Sequence, residues 1–351
     1  MPRDIELGLF LPIANGGWIL SKNTPPLTGS YEQNRQAAIL ADEMGLDFLM
    51  SMGKWRGYGG ETDHWGTSLE SVTMMAGLAE CTSRAKLIAT VHAGLHNPAV
   101  TAKMISTLDH ISRGRAGLNI VSGSFQNEFQ QMGAWDQTLS HDERYSMTEE
   151  WTEVIKRLWS EPEVTFEGQH FQMQACVSEP KPLSVPRPYL VCAGQSERGL
   201  DFTVRQADAS FIGGKDEAET RAICQRAREL AKVHQTSVKV YCMCTLVLAD
   251  TDKQAEALAQ HYRDGLDVGA VKGMMQSYGV DIESAQSMFE RAANAFMSHT
   301  AIGSAATCVE QIAALVRECD LDGVMLIFPD YAEGLTRFGR DVYAPLRASF
   351  Q

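Results

Sequence analysis

The residues of this chain best suited to chemistry gather between Gly114 and Tyr145. A short apolar run ends in Asn119, a turn containing Gly123 leads to Glu128, and a helix opens at His141-Asp142-Glu143-Arg144-Tyr145. One strand-loop-helix unit therefore carries an amide, a carboxylate, a guanidinium and a phenol. The Asn119 amide donates and accepts at once, which suits a heteroaromatic edge that alternates carbonyl and N–H groups; a buried structural Asn is the plain alternative. Glu128 offers an acceptor to the same ligand or a general base, and otherwise reads as an exposed loop acid. Arg144 at a helix N-terminus makes a phosphate grip, although an arginine alone is more often a surface ion-pair partner.

Three further clusters point the same way. The loop Ser51-Met52-Gly53-Lys54-Trp55-Arg56-Gly57-Tyr58-Gly59-Gly60 combines two cations, two aromatics and four glycines. Such a loop brings backbone amides and Lys54 close to a planar ligand; the alternative is a solvated glycine loop. Thr90 and His92 end another apolar run, and His96-Asn97-Pro98 follows. His92 and His96 have a metal-like spacing, yet they fall on a strand end and a loop, with no HExxH and no nearby carboxylate, so a metal-free site is expected. Either histidine lines a substrate pocket or sits as a polar rim residue. Cys192-Ala193-Gly194-Gln195-Ser196 ends a third run at a helix start, where a hydroxyl and backbone N–H groups serve a phosphate or simply cap the helix. No Ser-His-Asp or paired-carboxylate set is visible.

These residues need a frame that brings strand ends together. Candidate strands are Leu7–Ile13, Phe48–Met52, Ala85–Val91, Ala116–Val121, Tyr189–Cys192, Ala209–Ile212, Val238–Leu248 and Gly323–Phe328, separated by helical patterns such as Tyr31–Glu43, Ser146–Leu158 and Glu217–His234. This alternation predicts an α/β fold, a (β/α)8 TIM barrel with its ligand residues at the carboxyl ends of the strands. A doubly wound open sheet is the alternative, but the first strand is followed by Asn15-Gly16-Gly17-Trp18 and not by GxGxxG. One domain over residues 1–351 is expected, with insertions at about 161–188 and 251–300. The first carries a hairpin-like signal at Phe166–Phe171 and a Pro-rich stretch. The second is Met-rich and helical in pattern, either a subunit-packing pair or a cap over the barrel mouth.

The bulk numbers narrow the function further. A net charge of −13, from 44 acidic against 31 basic side chains, argues against nucleic acid or an anionic membrane as partner. No apolar run approaches the roughly 18–20 residues that span a bilayer. The N-terminal residues show no signal-peptide pattern. The eight cysteines include no CxxC pair and read as free thiols in a reducing cytoplasm.

Taken together, these motifs resemble the bacterial luciferase-like FMN-dependent monooxygenases. The likeness rests on Ser122-Gly123 after Asn119, Glu128, His141–Tyr145 and Gln195-Ser196; Pro12–Trp18, Ser51–Gly60 and Cys192–Ser196 look like the family's pyrimidine oxygenase branch of uracil degradation. The resemblance implies a barrel that uses reduced FMN and O2, supplied by an NAD(P)H-dependent flavin reductase, in a homodimer or homotetramer. It implies FMN contacts at Gly53, Lys54, Asn119, Glu128, Arg144, Tyr145 and Ser196, with the last three nearest the phosphate. Thr90, Asn119 and Met50 would border the dioxygen site, and Trp18, His92 and Ser124 the substrate pocket. His92 and Ser124 depart from the pyrimidine oxygenase pattern. The implied substrate is a pyrimidine-like ring or other amide or nitrogen heterocycle, with an alkanesulfonate or sulfone, or a deazaflavin-dependent reaction, as alternatives.

Overall fold

Strands that are short and apolar on both faces form where both faces are covered, and that is how this sheet is built. In the computed structural model, which describes residues 4–123, 125–214, 216–277 and 294–351, eight parallel strands close on themselves. They are β1 (Glu6–Phe10), β2 (Phe48–Met50), β3 (Lys86–His92), β4 (Ala116–Val121), β5 (Tyr189–Cys192), β6 (Ala209–Ile212), β7 (Lys239–Leu248) and β8 (Gly323–Ile327). Each pairs with the next, and β8 returns to β1, so the TIM barrel expected from the alternation is present. In the β3–β4 register Thr90 faces Asn119 and His92 faces Val121. Side chains two apart on a strand share a face, so Thr90 and His92 stack in successive tiers of the same inner wall.

The amino-terminal end of the barrel is plugged. Phe48 fills the space left by Gly8, where any Cβ would overlap its ring, and packs 5.0 Å from Tyr241. The Tyr241 hydroxyl donates to Glu6, Lys239 Nζ reaches the other Glu6 oxygen at 2.6 Å, and Tyr189 lies 3.0 Å from Tyr241. A fully bonded polar cluster therefore closes the floor.

Three differences from the sequence reading have local causes. The helical pattern over Ser146–Leu158 extends back to His141, where the charged motif already places a helix start, because Ser140 and Glu143 form a capping box there. The stretch predicted as helical to residue 300 ends in a strand, His299–Gly303, which pairs in parallel with the outer half of the ten-residue β7. The long, β-branched run of β7 offers that second edge. The chain also ends in helices Tyr331–Arg337 and Tyr343–Ala348, beyond the predicted set; Tyr331 Oη ties the first to the Phe10 carbonyl at 2.7 Å.

Residues 164–167 and 172–176 form an antiparallel hairpin. Glu150 holds its turn, accepting from Gln169, His170 and Phe171 N–H groups at 2.8, 2.8 and 3.1 Å. Within 251–300, helices Asp252–Asp264 and Val268–Ser277 are described. The second lies against the loop after β2. Gly60 and Gly273 permit this contact, since a Cβ on Gly60 would meet Asp267 and Ala270, and one on Gly273 would overlap the Tyr58 carbonyl. No described helix is long and apolar enough to cross a membrane.

Candidate active site

A cavity of about 700 Å³ opens at the carboxyl ends of the strands. Its wall includes Met50, Gly53, Lys54, Thr90, His92, Asn119, Tyr145, Ser196 and Trp18, nine of the residues singled out from sequence. Ser124 lies outside the described residues.

At the base of the cavity, a buried network fixes one amide. Thr90 donates its backbone N–H to Ser71 Oγ at 2.8 Å and its hydroxyl to the Ser51 carbonyl. Ser51 and Ser71 hydroxyls are 2.6 Å apart. With its proton committed to Ser51, Thr90 Oγ1 can only accept, and it does so from Asn119 Nδ2 at 3.0 Å. The amide is thereby oriented with Oδ1 left over, buried and without a partner among the described residues. A buried acceptor in that state costs about 1–3 kcal/mol unless a ligand N–H or O–H, or water, meets it.

The phosphate-sized end lies between β4, β5 and the helix His141–Ser160. Ser196 caps the helix Glu197–Gln206, its Oγ accepting from Gly199 N at 3.1 Å. The same oxygen lies 3.3 Å from His141 Nε2. Tyr145 faces Ser122 and Ser196, and burial raises its pKa, so the phenol stays protonated. A Cβ on Gly194 or Gly199 would collide with its hydroxyl. His141 and Tyr145 are four residues apart on one helix face, with rings 5.2 Å apart. His141 is a cavity residue to which the sequence alone assigns no role, and its i, i+4 spacing to Tyr145 is the signal for it.

Arg144 and Glu128 are not part of the cavity wall. The Arg144 guanidinium sits over the Trp135 ring at 4.9 Å and donates to the Leu139 carbonyl at 3.0 Å. The helix turns it outward, one residue before Tyr145 turns inward. Glu128 is fully buried, but its carboxylate accepts from the Trp55 and Arg56 N–H groups and lies 3.4 Å from Lys54 Nζ. It therefore pins the loop after β2 from behind. Lys54 Nζ is also 3.8 Å from the Phe125 ring centroid and 4.6 Å from that of Tyr58. Burial lowers the Lys54 pKa, and the Glu128 charge opposes that shift.

The remaining wall is aromatic and thioether. Trp18 stacks on Phe10 at 3.8 Å, and Trp65 meets Trp18 edge-on at 5.0 Å. Trp65 has φ of 60°, a left-handed backbone uncommon for a bulky residue, and its indole N–H donates to the Gly17 carbonyl at 2.6 Å. Phe211 and Met243 come from the barrel, while Met274 and Met297 come from the 251–300 segment. The Met-rich character of that segment was the sequence signal for this wall.

His92 closes the side wall above Thr90. It is buried, meets Phe129 edge-on at 5.4 Å, and its pKa is held down to about 3 by burial, with His96 and Lys54 adding to the shift. His96 turns away and places Nδ1 3.2 Å from the His92 carbonyl.

A barrel with an amide at its base and a helix N-terminus at one side of its mouth is a frame for a phosphorylated planar ligand. The chain belongs to the luciferase-like monooxygenase family, which it matches over residues 5–320. It is 36% identical to the pyrimidine monooxygenase RutA of Variovorax paradoxus over 348 residues, covering 96% of this chain and 93% of that one. In fold it is similar to riboflavin lyase RcaE, solved with modified FMN and riboflavin, at a TM-score of 0.88 and 19% identity over 99% of this chain and 92% of that one. Long-chain alkane monooxygenase LadA superimposes at 0.86, with 18% identity and coverage of 99% and 92%.

Proposed function

We propose that this chain is the oxygenase of a two-component system in the cytoplasm, taking reduced FMN from a separate NAD(P)H-dependent flavin reductase and using O2 to oxygenate a pyrimidine-like ring. The observation that carries the cofactor reading is the oriented, unpartnered Asn119 Oδ1 at the base of a cavity whose rim holds Ser196, Tyr145 and His141. An acceptor there fits an N–H of a reduced isoalloxazine, and the hydroxyls with the helix N-terminus fit its phosphate.

When bound, reduced FMN supplies two electrons to dioxygen, so that one oxygen atom enters the substrate and the other leaves as water. The chain's own residues do the rest. Ser196, Tyr145 and His141 hold the phosphate end, Gly53 and Lys54 approach the ring edge, and Thr90 holds Asn119 in its accepting orientation. Met50, Phe10 and the methionines keep the reacting face dry. Glu128 and Arg144 serve through the segments they hold and not by contact.

The substrate reading rests on relatedness and on the absence of a free cation. Among the described wall residues Lys54 is the one lysine or arginine, and Glu128 and the aromatic faces already occupy it. An alkanesulfonate would find no partner there, whereas an uncharged ring fits beside the Trp18–Phe10 stack. The test is titration with reduced FMN under nitrogen, then aeration with uracil and a supplied reductase. Tight FMN binding and incorporation of one labelled oxygen per product are expected; binding of deazaflavin in place of FMN, or flavin oxidation at the free rate, would overturn the reading.

A further inference from the structure

His64 is fully buried, and neither of its ring nitrogens has a hydrogen-bond partner among the described residues. A neutral imidazole takes one donor and one acceptor out of water, so such a seat is costly and must be held by shape. The ring stacks on Trp65 at 5.2 Å and 29°, and lies parallel to the Tyr58 ring at 6.3 Å and 9°. Gly16 makes room for it: a Cβ there would lie 2.6 Å from His64 Nδ1, and the φ of 78° is one that a side chain rarely adopts. The backbone closes a small hairpin around the ring, with His64 N donating to the Gly59 carbonyl and Tyr58 N to the His64 carbonyl, both at 2.8 Å. Tyr58 and Trp65 line the cavity, and the imidazole backs them.

Two charges and the Tyr58 phenol face this ring. Asp267, just ahead of the helix Val268–Ser277, favours a proton on it. Its carboxylate is spent on Thr62 N and Oγ1 at 2.7 and 2.8 Å and on Ala270 N at 3.0 Å, and it bonds neither ring nitrogen. Lys54, at the root of the same loop, opposes a proton, and residues 14–17 of the loop after β1 carry no titratable side chain. Burial outweighs Asp267 and holds the pKa of the imidazole down to about 4. We propose that His64 is the positioning residue of this wall, a latch that seats Tyr58 and Trp65 while its imidazole is neutral and lets residues 57–66 open when it takes a proton. The proton comes from solvent as the ring leaves its seat and returns there as the ring reseats. An imidazole in water titrates near a pH of about 6.5, so between that value and about 4 the open form binds more protons than the seated one. Seating is therefore complete above a pH of about 6.5 and is progressively lost as pH falls through that interval. The latch acts on the wall whichever molecule fills the cavity, and so goes beyond the oxygenase reading.

The test is hydrogen exchange of the full chain, read by mass spectrometry over peptides spanning residues 54–66 and corrected for the intrinsic effect of pH on exchange. Between about pH 7.5 and about pH 5 the opening equilibrium of this loop is expected to rise at least about tenfold in the wild type. In His64→Phe and His64→Gln, whose side chains take no proton in that interval, it is expected to change by less than about twofold, and either variant suffices if the other does not fold. The β7 peptide containing Tyr241 is the reference and is expected to keep its protection in every chain. A wild-type loop whose opening does not change with pH, or a variant that keeps the rise, would overturn the proposal. An equal rise in the Tyr241 peptide would do the same, since it would assign the effect to the barrel as a whole and not to the wall.

Discussion

At the scale of single residues, Asn119 shows how neighbours choose which end of an amide faces a ligand. Thr90 has spent its proton on the Ser51 carbonyl, so only the Asn119 nitrogen can approach it. Replacing Thr90 by Val removes that acceptor and lets the amide turn. The expected outcome is a fall in kcat of about tenfold or more with a smaller change in FMN affinity, and recovery in Thr90→Ser, measured by product formation and flavin titration. Asn119, Thr90, Tyr145 and Ser196 were legible as cavity residues because each lies in the carboxyl-terminal half of a strand or near the start of a helix, and position alone aims it at the mouth. Glu128 and Arg144 were not legible as loop supports. The direction of a charged side chain depends on what lies opposite, and Trp135, Leu139 and the Trp55 and Arg56 amides become neighbours only in the folded chain.

At the scale of elements, the loop after β2 is held from three sides. Glu128 accepts from its first residues, Asn15 Nδ2 donates to the Asp63 carbonyl at 2.7 Å, and Asp267 accepts from Thr62 N and Oγ1 at 2.7 and 2.8 Å. The helix Val268–Ser277 then packs on it through glycine, and delivers Met274 to the cavity. Gly273→Ala would force the helix away from Tyr58. We expect a loss of about 1–3 kcal/mol in stability together with a raised substrate KM, read by thermal melting and steady-state kinetics. The eight barrel strands were legible because each is a short apolar burst between helix-length segments. The strand His299–Gly303 was not, because its pairing depends on the exposed edge of β7, which no local pattern announces.

At the scale of the whole molecule, the barrel separates two tasks along its axis. The floor, built from Glu6, Phe48, Tyr189 and Tyr241, is remote from the strand ends that carry the cavity. Tyr241→Phe removes the hydroxyl that Glu6 and Tyr189 share, and is expected to lower stability by about 1 kcal/mol while leaving kcat and FMN affinity unchanged, as checked by denaturant melting beside turnover. Glu6 adds a pH sense to the same cluster. Burial alone would raise its pKa, but Lys239 and Tyr241 outweigh it and bring the pKa below the usual value. Its contribution is therefore complete above the unfolded carboxyl pKa of about 4.3 and is lost as pH falls through the lower folded value. The plugged floor has a consequence for descent. Substitutions at Phe211, Met243 or Met274 can accumulate without loosening it, so lineages that part over their substrates should keep the same barrel base long after their mouths have ceased to look alike.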